Sequence, residues 1–173
     1  PAGLGLEPRA LGVSPDGRRL WLTGTAPDAG AAPPDAVEEL LPGQETAGAA
    51  VVVLALGPDG LGPEIGRFAA AGIAAYDWEY AGAVQPIAFG PDGRVTVAGA
   101  GQVYVFDGAA DAIAPVETRA LPLPFTRTTF ALASAPDGRL WVGTEGGLAV
   151  LDGEAWRTFT APARAPEWWG SAT

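Results

Sequence analysis

Ser134-Ala-Pro-Asp-Gly-Arg-Leu-Trp-Val-Gly-Thr-Glu-Gly-Gly-Leu-Ala-Val-Leu-Asp-Gly-Glu-Ala-Trp-Arg-Thr-Phe-Thr160 is the stretch on which the reading of the chain turns. Its Pro136-Asp137-Gly138 has a local chemistry of its own. Pro sets φ for the second position of a type I turn, Asp suits the third, and Gly accepts a left-handed fourth. A turn of this kind joins two antiparallel strands through a bulge. The strands around it are Phe130-Ala-Leu-Ala-Ser and Arg139-Leu-Trp-Val-Gly-Thr. A third follows in Gly147-Leu-Ala-Val-Leu-Asp-Gly, and a more polar fourth in Ala155-Trp-Arg-Thr-Phe-Thr.

Outward from there the tetrapeptide recurs as Ser14-Pro15-Asp16-Gly17, Gly57-Pro58-Asp59-Gly60 and Gly90-Pro91-Asp92-Gly93. Flanks agree as well: Ala10-Leu-Gly-Val-Ser and Arg19-Leu-Trp-Leu-Thr-Gly-Thr in one unit, Pro86-Ile-Ala-Phe and Arg94-Val-Thr-Val-Ala-Gly in the next. The middle unit continues with Gln102-Val-Tyr-Val-Phe-Asp-Gly and Pro115-Val-Glu-Thr-Arg-Ala-Leu. Four short strands repeating at about 40 residues are the mark of β-propeller blades. Pro58-Asp59-Gly60 breaks the phase: it follows Val51-Val-Val-Leu-Ala-Leu and precedes Glu64-Ile-Gly-Arg-Phe, which places it between the third and fourth strands of the first blade.

The expected fold is therefore all-β, a partial propeller of about three four-stranded antiparallel blades over 10–73, 86–122 and 130–160, with partial flanking strands. An insert over 26–48 interrupts the first blade. Within it Asp35 can cap a short helix, Val37, Leu40 and Leu41 share one face, and Pro42-Gly43 stops it. Residues 161–173 read as a linker into a further blade. Because propellers close with roughly four to eight blades, the remaining blades are expected from the same chain or from a homo-oligomer.

Ser134 to Thr160 resembles a two-component-regulator propeller repeat, and Val51 to Phe68 resembles a strand pair of the YVTN-type bacterial surface propellers. The resemblance implies ligand sensing or protein interaction in a bacterial sensor or surface protein, in an extracytoplasmic location, periplasmic or at the cell surface.

Composition narrows the chemistry. The 173 residues carry 10 basic side chains, all Arg, against 20 acidic ones, and His, Cys, Met, Lys and Asn are absent. Without His, Cys or Lys there is no histidine base, thiolate, disulfide or Schiff base. A net charge of −10 with scattered arginines offers no basic stripe for nucleic acid. Gly (25) and Pro (17) mark many turns, while 48% apolar residues can fill a core. The apolar run 49–56 is too short to cross a bilayer. No cofactor and no metal are expected. The Pro-Asp-Gly aspartates, with Asp107 and Asp111, match no calcium-loop spacing, and Gly143-Thr-Glu-Gly-Gly147 opens no helix to bind phosphate.

Strand order assigns faces. All four Pro-Asp-Gly turns fall at one end of the blades, whereas the insert and the inter-blade linkers 74–85 and 123–129 fall at the other. The first of those linkers holds the candidate ligand-binding residues Tyr76, Asp77, Trp78, Glu79 and Tyr80. If extended, alternation sets three aromatics on one side and two carboxylates on the other. Such a surface suits a small molecule, glycan or protein ligand; equally, the aromatics could cover the gap between blades. Two carboxylates two apart on one strand do not flank a scissile bond. The reading is thus a non-catalytic module for ligand sensing or protein interaction. Two alternatives are a lactonase- or gluconolactonase-type propeller hydrolase, whose resemblance implies a metal site containing Asn, and a purely structural repeat scaffold.

Overall fold

The computed structural model describes residues 5–26, 48–70, 86–99, 101–122, 129–144 and 146–160. The described strands, in chain order, are β1 (Glu7–Val13), β2 (Arg19–Ala26), β3 (Gly48–Gly57), β4 (Gly60–Ala70), β5 (Ile87–Phe89), β6 (Arg94–Ala98), β7 (Gln102–Asp107), β8 (Pro115–Ala120), β9 (Thr129–Ser134), β10 (Leu140–Thr144), β11 (Gly147–Asp152) and β12 (Ala155–Phe159). They sort into three four-stranded antiparallel sheets, each a meander in chain order. No helix occurs among the described residues, and the short helix expected in the insert lies outside them.

Residue chemistry accounts for strand position. Central strands are rich in β-branched and aromatic residues, as in Val51-Val52-Val53 or Val103-Tyr104-Val105-Phe106, and all seven of these side chains are buried. Each fully buried valine contributes on the order of 1.5 kcal/mol or more. Outer strand β8 alternates half-buried and exposed along its length. Prolines within strands, Pro8, Pro63 and Pro115, stand only on first or fourth strands, where a missing N–H leaves no ladder bond unmade. Each lies at or beside a register shift in its pairing.

The first strand of each sheet is innermost, with β1 beside β5 and β5 beside β9. The sheets pack face to face in sequence. Trp21, Val51, Val53 and Phe68 of the first meet Val95, Val97, Tyr104 and Phe106 of the second. Ala88, Ala98 and Val103 of the second meet Leu140, Val142 and Ala149 of the third. At the first seam, Phe68 lies 5.5 Å edge-on to Phe106, and Trp21 is 5.6 Å from the same ring. Two glycines admit the neighbouring sheet there: a Cβ on Gly12 would meet the Phe89 ring at 2.6 Å, and one on Gly66 would meet Ile113 at 2.7 Å. Stacked meanders with inner first strands are propeller blades.

Candidate functional site

Strand alternation puts the β1–β2, β5–β6 and β9–β10 turns at one end of the blades with the β3–β4, β7–β8 and β11–β12 turns. The β2–β3 connections and the crossings between blades lie at the other end. The two ends differ in build. At the turn end, three Pro-Asp-Gly copies share one set of bonds. The glycine N–H donates to the carbonyl three residues back, as in Gly17 to Ser14 (2.8 Å), Gly93 to Gly90 (3.2 Å) and Gly138 to Ala135 (2.9 Å). Those glycines have φ of 71°, 81° and 86°. In each turn the aspartate accepts from a following backbone N–H: Asp16 from Arg18, Asp92 from Arg94 and Asp137 from Arg139.

The first turn holds one extra residue, Arg18, so that Ser14 N–H reaches Arg19 O. The Ser14 hydroxyl fills the gap. It accepts from Arg19 N–H at 2.9 Å and donates to Asp16 Oδ1 at 2.5 Å. That bond, more than the backbone contact, holds the Asp16 carboxyl below its ordinary value. Asp137 is likewise lowered, first by the Arg139 guanidinium and then by its N–H. In the fourth copy, Pro58-Asp59 forms a two-residue loop closing β3 onto β4.

Asp16, Asp92, Asp107 and Asp137 at this end are thus committed to their turns. Arg94 pairs with Asp92 and Glu117, and Arg119 with Glu117. Among the described residues no group of three or more acidic side chains could hold a metal ion. Gly143–Gly147 joins two strands, and there the Thr144 hydroxyl accepts from Gly146 N–H at 3.1 Å. Trp21 is fully buried in the first seam, its indole N–H among the buried groups without a partner. Trp141, at the equivalent place, is half-buried with the Arg139 guanidinium 6.0 Å from its ring. Gln102 donates to the Tyr104 hydroxyl, whose pKa is pushed up by burial.

The candidate residues Tyr76, Asp77, Trp78, Glu79 and Tyr80 lie outside the described residues. What reading from the sequence missed is a cross-blade contact: Arg19 of β2 binds the β7–β8 loop through the carbonyls of Ala109 and Ala110 and the carboxylate of Asp111. Its acceptors are mainly backbone, which carries no sequence signal. No described helix is long and apolar enough to cross a membrane.

A family model described as "Two component regulator propeller" matches residues 122–146, which takes in β9, its turn and β10. No curated protein matches the chain. Among solved structures, the chain is similar to an X-ray structure carrying a gluconolactonase assignment, at 22% identity and a TM-score of 0.45. The alignment covers 88% of this chain and 48% of that one, so the chain spans about half its length. Three stacked meander sheets with inner first strands, one of them matched over β9 and β10 by a propeller-repeat model, make the described chain a run of three β-propeller blades.

Proposed function

We propose that the chain is a non-catalytic propeller module that binds a ligand or partner at the end of the blades opposite the Pro-Asp-Gly turns, through the segment Tyr76–Tyr80. One asymmetry carries this reading. The turn end consists of short, internally hydrogen-bonded connections, whereas β2, β4 and β8, which lead into the long intervening stretches of sequence, all finish at the other end. Recognition residues concentrate on long connections held by a rigid scaffold. The proposal includes a sensor or surface role on the extracytoplasmic side, which rests on the resemblance of residues 134–160 to a two-component-regulator propeller repeat.

The test is a tryptophan-fluorescence titration with neutral oligosaccharides and a quaternary ammonium probe, beside an assay for lactone hydrolysis with added divalent cations. Trp78→Ala and Tyr80→Ala should each weaken binding at least tenfold with the melting temperature unchanged. Lactone turnover, or binding that survives both substitutions, would overturn the proposal.

A further inference from the structure

The third blade carries an apolar face that no described strand covers. Thr96 pairs with Val105 and Trp141 with Val150, so the second and third blades align residue by residue and Leu148 holds the register place of Val103. Val103 is fully buried, in the cluster against which Leu132 of β9 packs. Leu148, by contrast, is 38% exposed, and its cross-strand partner Phe159 is 55% exposed.

Chain order says which segment covers a blade. β5 follows β4 and packs over the first blade; β9 follows β8 and packs over the second. After β12 come residues 160–173, of which 161–173 lie outside the described residues. Their spacing repeats that of the preceding crossing. Residues 121–128, eight in number and with prolines at 122 and 124, separate β8 from Thr129-Phe130 at the head of β9. Residues 160–167, again eight and with prolines at 162 and 166, separate β12 from Trp168-Trp169. Eight extended residues reach about 25 Å, more than the roughly 14 Å from the outer to the inner strand of one blade.

Register also gives the side. Val142 and Leu132 pack toward the second blade, and Thr144 and its partner Thr129 share that side and are buried. Trp168 falls at the place of Thr129. Where Thr129 arrives the second blade offers Val103 paired with Arg119, whereas the third offers the larger apolar pair Leu148 and Phe159. An indole in place of a threonine suits that exchange, since it brings more apolar area to a wider apolar patch.

We propose that residues 161–173 cross the third blade and lay Trp168-Trp169 over Leu148 and Phe159, as an inner strand of the same kind as β5 and β9. The chain has no cysteine, so a single introduced thiol reports on this face. In the full 173-residue chain, Leu148→Cys should react with a bulky aromatic disulfide at least tenfold more slowly than the same variant carrying Trp168→Ser and Trp169→Ser. The slow rate should be independent of protein concentration, and Phe159→Ser should also release it. Leu61→Cys, 65% exposed at the turn end, should react equally fast with and without the tryptophan pair, which separates loss of the cover from loss of the fold. Equal rates at Leu148→Cys in both backgrounds overturn the proposal. So does protection that rises with protein concentration, which would give the face to a second copy.

Discussion

The guanidinium of Arg19 donates to the carbonyl oxygen of Ala110 at 2.5 Å, across the seam between the first and second blades. The same group reaches Ala109 O at 2.7 Å and Asp111 Oδ1 at 3.3 Å. A planar fork with several donors suits two adjacent carbonyls in a way an ammonium cannot. The Arg19 side chain is 15% exposed while Asp111 is 98% exposed. The carbonyl bonds therefore carry the contact, and the ion pair is screened by water.

Arg19→Ala should cost about 2 kcal/mol in urea unfolding, in the range for charged hydrogen bonds. Arg19→Lys should recover only part of that. Asp111→Ala should stay within about 0.5 kcal/mol. Equal losses from Arg19→Ala and Asp111→Ala would show that the ion pair, rather than the carbonyl clasp, joins the blades.

Gly12 and Phe89 form the inner contact of the same seam. A methyl group at Gly12 would stand 2.6 Å from the ring of Phe89, closer than real Cβ atoms come. Gly12→Ala should therefore destabilise by about 1–3 kcal/mol through overpacking. Phe89→Leu alone should leave a cavity, but with Gly12→Ala it should cost less than the two changes summed. A double-mutant cycle checks this, and additivity within about 0.3 kcal/mol would mean the two residues do not share the space.

Acid should loosen the turns. Asp16 and Asp137 are held below the ordinary carboxylate value of 3.8, by Ser14 and by Arg139 respectively. A carboxyl that ionises more readily when folded contributes stability above its unfolded value, and that stability is lost as pH falls through the lower folded value. Melting temperature should thus fall modestly below about pH 4, since both carboxylates are exposed and their contacts are screened by water. Asp137→Asn keeps a residue suited to the turn, so it should lower the melting temperature at pH 7 and make little difference near pH 2. A deficit that persists undiminished at pH 2 would assign the effect to turn geometry instead of charge.

Much of this architecture is legible because its signals are local. Pro-Asp-Gly dictates a turn without help from the rest of the chain, and the bonds of Gly17, Gly93 and Gly138 follow that chemistry. The out-of-phase copy at Pro58 is readable because Val51-Val52-Val53 before it can only be a central strand. Contacts between blades are not legible in this way. Nothing near Arg19 in sequence announces acceptors some 90 positions away, and Gly12 looks like an ordinary strand glycine until Phe89 is set against it. The candidate segment Tyr76–Tyr80 was placed by strand order alone, which assigns an end of the blades and no geometry. Aromatics on a blade-to-blade crossing serve binding and gap-filling by the same alternation, so only mutation separates the two.

Two glycines of the third blade allow backbone strain to be measured apart from packing. Gly138 sits at φ 86° with nothing within 4 Å of where its Cβ would be, so a methyl there meets no atom and only the left-handed backbone resists it. Gly138→Ala should cost about 1 kcal/mol. Gly143, on β10 of the same blade, lacks a left-handed φ, and its Cβ would touch Ala131 at an ordinary 3.6 Å. Gly143→Ala should be neutral or stabilise by about 0.5 kcal/mol, because it removes freedom from the unfolded chain at no native cost. Urea unfolding of both variants checks the contrast. If Gly143→Ala proved the more costly, the third blade would be packed more tightly along β9 and β10 than its 3.6 Å spacing allows.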